Sequence, residues 1–304
     1  MNPFKAPNID HTSNSSPLNP CECDDHENYY APVDNTQVAF EDYKDYLNAF
    51  SNIPQRHAVL FHGETGCGKT SLMNRCLKLY QDTTWNLNGD KLIPYIIDVR
   101  SENLLAKSAE EKVTAILDHI YVTLDEKPIA NMHEKFGDQL GKKTSLVLKY
   151  LENQLKNFKK LLIILFPEIS TVDDIKAYMN DFYRFNWVLY FESENIGIAQ
   201  HCKRYYRNTG TSPVKCLEVR PLIDTDGDIF VQKRLLMLPD DSKKVDFDTN
   251  ALQKYLISAL NRGGASVREI EIVCEKAYDK ALYANKDIIL FEDIAQIAIS
   301  ILQI

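Results

Sequence analysis

The chain has 304 residues, enough for one large α/β domain or for an ordinary domain with a smaller companion. Apolar residues make up 44% and charged residues 26%, and no stretch approaches the roughly 18 uninterrupted apolar residues of a membrane span. The formal charge of −8 repels nucleic acid, so contact with DNA or RNA would require a local basic patch. Lys203, Arg204 and Arg207, with Lys215 and Arg220 further along, are the candidates for one; a solvated basic face is the plainer reading. The opening MNPFKAPNIDHTSNSS lacks the apolar run of a signal peptide, so a cytoplasmic location is expected. Seven cysteines, an odd number, argue for reduced thiols over a disulfide framework. Cys21, Cys23 and His26 crowd together, but no second cluster completes a four-ligand metal site; a polar tail with incidental thiols is the simpler reading.

Residues 1–35 are rich in Asn, Pro, Ser and Asp without apolar periodicity, and are expected to form a flexible or loosely docked N-terminal extension. Phe40, Tyr43, Leu47 and Phe50 recur at helical spacing until Pro54 closes the helix. Ala58-Val59-Leu60-Phe61 is a short apolar strand leading into Gly63, and residues 68–80 follow as a helix with Leu72, Cys76 and Leu79 on one face. A strand is predicted over 93–99, helices over 109–124 and 146–158, and a buried parallel strand over 161–166. A helix over 173–185, a strand over 187–191 and a last strand over 215–219 complete the pattern. Strands alternating with helices mean a parallel sheet covered by helices. Past Pro239 the segments 248–262, 266–285 and 291–303 are helical with no strand among them. The expected organisation is therefore an α/β nucleotide-binding domain over 36–240 and a small helical lid over 241–304.

The segment Gly63-Glu64-Thr65-Gly66-Cys67-Gly68-Lys69-Thr70, followed by Ser71, satisfies G-x-x-x-x-G-K-[ST] between a strand and a helix. Backbone N–H groups must turn inward around phosphate oxygens, and glycine permits the close approach. The helix that starts near Gly68 directs its positive end at the anion. Lys69 is expected to reach the β and γ phosphates and Thr70 to ligate Mg²⁺.

Hydrolysis needs a carboxylate that activates water and an acid that holds Mg²⁺ through its shell. The matching place is Ile163-Ile164-Leu165-Phe166-Pro167-Glu168. Four apolar residues are usually followed by Asp-Glu; here they are followed by Pro-Glu, so Glu168 is in register with the water-activating glutamate while Pro167 stands in place of the magnesium-shell aspartate. Two readings stay open: slow turnover through Glu168, or a site that binds nucleotide without hydrolysing it.

With GETGCGKT, LLIILFPE and a helical C-terminal region that opens Gly263-Gly264-Ala265-Ser266-Val267-Arg268, the chain resembles the AAA+ ATPases, particularly their initiator and signalling branch, over residues 36–304. The resemblance implies ATP with Mg²⁺ as cofactors. It places Arg268, with Arg262 as a weaker candidate, on the γ-phosphate of the same chain. It implies a polar residue past the next strand, for which Glu192, Ser193 and Asn195 compete. It also implies an arginine offered in trans to a neighbouring subunit, with Arg207 first and Arg204 second. The expected function is a nucleotide-driven switch working through self-association or a protein partner. A non-hydrolysing adaptor is the alternative, and a small-molecule kinase is disfavoured because only Arg262 and Arg268 follow residue 240. No winged-helix domain is expected after the lid, which argues against origin binding.

Overall fold

The computed structural model describes residues 2–8, 17–49, 56–87, 89–102, 104, 107–126, 144–205, 213–239, 244–248, 250–260 and 264–302. By packing, these divide into two compact units. One comprises 1–43, 63–79 and 218–304; the other comprises 44–62 and 80–217. In chain order the elements are α1 (His26–Tyr29), α2 (Asp34–Asn48), β1 (His57–His62), α3 (Lys69–Asp82), β2 (Asn86–Leu87), β3 (Asp90–Lys91) and β4 (Ile93–Asp98). They continue as α4 (Ala109–Glu126), α5 (Thr144–Asn157), β5 (Lys160–Leu165), α6 (Val172–Phe182), β6 (Trp187–Ser193), α7 (Ile196–Tyr205) and β7 (Val214–Glu218). The last are α8 (Asp226–Leu235), β8 (Asp246–Phe247), α9 (Ala251–Leu260), α10 (Val267–Tyr283), β9 (Ile288–Ile289) and α11 (Phe291–Leu302).

The sheet unit carries five strands in the order β4-β5-β6-β1-β7. β1 pairs in parallel with β6 and β5 with both β4 and β6, so their carboxyl ends lie along one rim, His62 opposite Ser193 and Leu165 opposite Tyr190. Side chains alternate across a strand, and here both sets are buried. Leu60, Leu162, Ile164, Leu189 and Phe191 join one core cluster, while Phe61, Ile163, Val188 and Tyr190 on the alternate positions are also fully buried. The cluster is closed by residues at helical spacing: Val113, Ile116 and Ile120 of α4, Leu148, Leu151 and Leu155 of α5, Ile175 and Phe182 of α6, and Ile198 and Cys202 of α7. β4 lies at an edge, which tolerates Pro94, because a missing N–H there breaks no central ladder.

The second unit is helical. Its core joins Phe230, Val231 and Leu235 of α8 to Leu252, Tyr255 and Leu256 of α9, Ile270, Val273, Cys274 and Tyr278 of α10, and Ile294 and Ile297 of α11. Arg234, 1% exposed, is held by Glu271 at 2.6 Å and lies over the rings of Tyr29 and Phe230. Tyr255 hydrogen-bonds Glu269, tying α9 to α10.

Three features differ from the sequence expectations. α8 lies ahead of residue 240 yet shares this core, so packing changes near Glu218 and not near 240. Described residues expected to form a flexible or loosely docked extension are docked tightly, because Phe4, Leu18 and Val33 are apolar side chains that the packing buries. A two-stranded parallel ladder, Asp246–Ile288 and Phe247–Ile289, sits in the region expected to be purely helical. Strands of two residues leave no periodic signal.

Candidate phosphate-binding site

Gly63 follows directly from the last residue of β1, so chain connectivity starts the loop at the carboxyl rim of the sheet. An added Cβ at Gly63 would stand 1.9 Å from the Val219 carbonyl oxygen, an approach that only a hydrogen allows. Gly66 has φ +79°, and its Cβ would meet the Ser266 hydroxyl at 2.9 Å. The loop is therefore seated directly on the start of α10. Arg268 N–H donates to the Gly66 carbonyl at 3.3 Å, and Ser266 caps α10 by accepting from Glu269 N–H at 3.0 Å. Thr36 of α2 and Val267 flank Gly68.

Lys69 is buried, and its Nζ donates to the carbonyls of Gly63 and Glu64, both at 2.9 Å. Its ammonium is thus held within the loop, where a phosphate oxygen can compete for the same N–H bonds. Thr70 is half-buried in the first turn of α3, while Glu64 and Thr65 are exposed and Cys67 is buried. Ser71 is engaged: its hydroxyl accepts from Leu18 N–H at 3.1 Å and its carbonyl from the Tyr30 hydroxyl at 2.6 Å. The side chain of Arg268 is exposed, and Arg262 lies outside the described residues.

In the sheet unit, Glu168 is exposed beyond the end of β5. The chain around it is tightly fixed. Phe166 packs against Tyr178, Phe182 and Phe191 with ring centroids 4.7–5.5 Å apart. Ile169 N–H donates to the Glu192 carbonyl at 2.8 Å, and the buried Ser193 hydroxyl donates to the Ile169 carbonyl at 2.8 Å. Thr171 and Asp174 form a reciprocal capping box on α6, and Asp174 takes a buried ion pair from Lys112 at 2.8 Å. Pro167 is buried. Of the three polar candidates at the end of β6, Glu192 is half-buried, Ser193 bridges to Ile169, and Asn195 accepts from Gly197 N–H at 2.9 Å to start α7.

Arg204 and Lys203 are exposed on α7, and Arg207 lies outside the described residues. Lys215 stands 5.8 Å from the Tyr46 ring, and Arg220 pairs with Glu218 at 2.9 Å. The Cys21–Cys23–His26 group is no metal cradle. His26 Nδ1 accepts from Asn19 N–H at 2.8 Å, which places the proton on Nε2, 2.6 Å from the Pro7 carbonyl. Among the described residues no cluster of His, Cys, Asp and Glu could hold a metal ion. No described helix is long and apolar enough to cross a membrane.

Thr36, Val219, Leu18 and Tyr30 touch the loop or its helix without any sequence signal that marks them. Ser266 was not singled out from the sequence either, although Ser-x-x-Glu ahead of an apolar pattern is a capping signature that could have found it.

A parallel sheet with a phosphate-type loop after its β1 strand, and a helical region whose long helix starts on that loop, defines the P-loop NTPase architecture with a lid. No family model and no curated protein matches the chain. Solved structures do. The ORC2 protein of Aeropyrum pernix, in ADPNP and ADP complexes, is 16% identical with a TM-score of 0.57 over 90% of this chain and 70% of that one. Cdc6p of Pyrobaculum aerophilum is 15% identical with a TM-score of 0.58 over 88% and 68%. The Aeropyrum pernix ORC1 protein, solved with DNA, is 12% identical with a TM-score of 0.51 over 88% and 65%. The chain therefore has the fold of the initiator-type AAA+ ATPases, and at these identities the likeness is one of fold.

Proposed function

We propose that this protein binds ATP with Mg²⁺ in the loop from Gly63 to Thr70 and acts as a nucleotide-driven assembly switch with slow hydrolysis. The observation that carries the reading is the seat of the loop on α10: Gly66 meets Ser266 and Arg268, so occupancy of the loop acts directly on the first turn of the lid helix. The first-turn amides of α3 and the Lys69 ammonium supply the phosphate cradle. Thr70 offers its hydroxyl to Mg²⁺, which would neutralise charge on the β and γ phosphates. Arg268 reads the γ-phosphate from the lid. Glu168 activates water, and Arg207 or Arg204 completes a neighbour's site in trans, which makes turnover depend on assembly. The ADPNP and ADP complexes of the Aeropyrum pernix ORC2 protein support the choice of nucleotide. The DNA complex of the ORC1 protein makes nucleic acid a partner to test alongside a protein effector.

Pro167 favours a second reading, a non-hydrolysing adaptor. A proline in place of the aspartate has no carboxylate to hold the shell of Mg²⁺, so binding would survive where turnover does not. Mg²⁺-dependent ATP hydrolysis by wild type and Glu168→Gln over a range of protein concentrations separates the two. Turnover that rises with concentration and disappears in the variant supports the switch. Bound nucleotide without turnover in either protein establishes the adaptor.

A further inference from the structure

The N-terminal segment grips the helical unit at two places. At one, Phe4 is 1% exposed among Phe230, Phe247 and Tyr278, with ring centroids 5.6–6.2 Å away. Beside it, the Asn2 amide donates to the Glu275 carbonyl and to Asp279 Oδ1, both at 2.9 Å. Lys5 Nζ pairs with Asp279 at 2.9 Å and Glu275 at 3.5 Å. Glu275 and Asp279 are four residues apart on one face of α10.

At the other, residues 18–30 hold the first turns of α3. Leu18 N–H and the Tyr30 hydroxyl both bond Ser71, and the Asn74 amide donates to the Leu18 carbonyl at 3.0 Å. Burial pushes the Tyr30 phenol well above its ordinary value, so it remains a donor. Arg75 bonds Glu27 at 2.9 Å and lies over the rings of Tyr30 and Phe40. The two grips are joined through His26, which links Asn19 to Pro7, and through the Tyr29 hydroxyl, which donates to the Lys5 carbonyl at 3.4 Å.

We propose that this segment is a strap that fastens the lid helix α10 to the phosphate-loop helix α3, so that it sets the rate of nucleotide release. Ser71 directly follows Thr70, and the Asn2 and Lys5 anchors at Glu275 and Asp279 lie about two to three helical turns along α10 from Arg268. Moving the start of α10 off Gly66 therefore strains either the Phe4 anchor or the Ser71 clasp. The release rate rests on the nucleotide-binding reading above; the mechanical coupling rests on geometry alone.

The test uses the full-length chain as wild type, Phe4→Ala and Tyr30→Phe. One arm follows release of a preloaded fluorescent ATP analogue chased with excess ATP; the other follows amide hydrogen exchange without nucleotide. Phe4→Ala is expected to speed release about tenfold. It is also expected to raise exchange at both 266–270 and 69–74, the second of which lies at the other grip. Tyr30→Phe, which removes one hydroxyl, moves both readouts the same way by less. Faster exchange confined to 2–8 and the adjoining lid core, with release and 69–74 unchanged, overturns the strap. If wild type binds no analogue, the nucleotide reading fails and the exchange arm alone decides the coupling. If Phe4→Ala does not fold, Tyr30→Phe and Lys5→Ala decide it by the same two readouts.

Discussion

The phosphate loop and the acidic strand end are built on opposite principles. The loop relies on backbone: its glycines let main chain meet main chain at Val219 and side chain at Ser266, and its lysine is held by carbonyls. Gly63 and Gly66 tolerate almost no substitution, because an added Cβ would stand within 3 Å of the Val219 carbonyl oxygen or the Ser266 hydroxyl. The strand end relies on side chains instead. Phe166, Thr171, Asp174, Lys112 and Ser193 hold the chain firmly around Pro167, where the resemblance led us to expect an acid. The difference teaches that, on the function proposed above, binding and hydrolysis would separate here, since the loop is held by its own backbone and the strand end by side chains that Pro167 does not disturb.

Four experiments would break or sharpen that contrast. The largest effect is expected where the strand end is held by charge. Lys112→Met leaves Asp174 buried without its cation, which should cost about 3–5 kcal/mol in denaturant unfolding. Pairing it with Asp174→Leu should recover much of the loss, and failure to recover would mean that the pair does more than neutralise itself. Next comes Lys69→Ala, which removes a charge-assisted donor from the loop. Calorimetric titration should show ATP affinity reduced by about 2–3 kcal/mol, roughly 30- to 150-fold, with folding preserved. Unchanged affinity would remove the loop from the nucleotide site.

Pro167→Asp addresses the missing acid directly. If the strand end is otherwise complete, restoring the carboxylate should raise steady-state ATP turnover by about tenfold, or near 1.4 kcal/mol of barrier, with little change in affinity. A variant that gains nothing would show that the scaffold, and not the single residue, limits hydrolysis. The smallest effect belongs to Ser266→Ala, which removes the cap of α10. Thermal unfolding should show the helical unit destabilised by about 1 kcal/mol. A null result would mean that the Arg268 bond to Gly66 suffices to order that turn.

Much of this architecture was readable in advance. The apolar run of β5, bounded by lysines and Pro167, marked a buried parallel strand, and the apolar runs of β1 and β6 and the helical stretches of α4, α5 and α10 were read as such. The GETGCGKT segment and the Pro167–Glu168 departure were visible as text, because residue type and local spacing alone specify such a motif. Helix α8, the β8–β9 ladder and the docking of residues 2–8 and 17–33 were not. A lone Phe4 in a polar tail carries no period, and a two-residue strand pairs with a partner some forty positions away.

Local chemistry is written along the chain, so the sequence by itself determined the sheet, the lid helices and the loop with its lysine and threonine. Which segments share a core depends on contacts between distant positions, so only the tertiary structure decided that the phosphate-loop helix packs in one unit with the lid and the N-terminal segment. The physical reason is that burial is non-directional: Phe4, Leu18 and Val33 carry the same apolar surface wherever they lie. Only the completed packing shows which helices bury it.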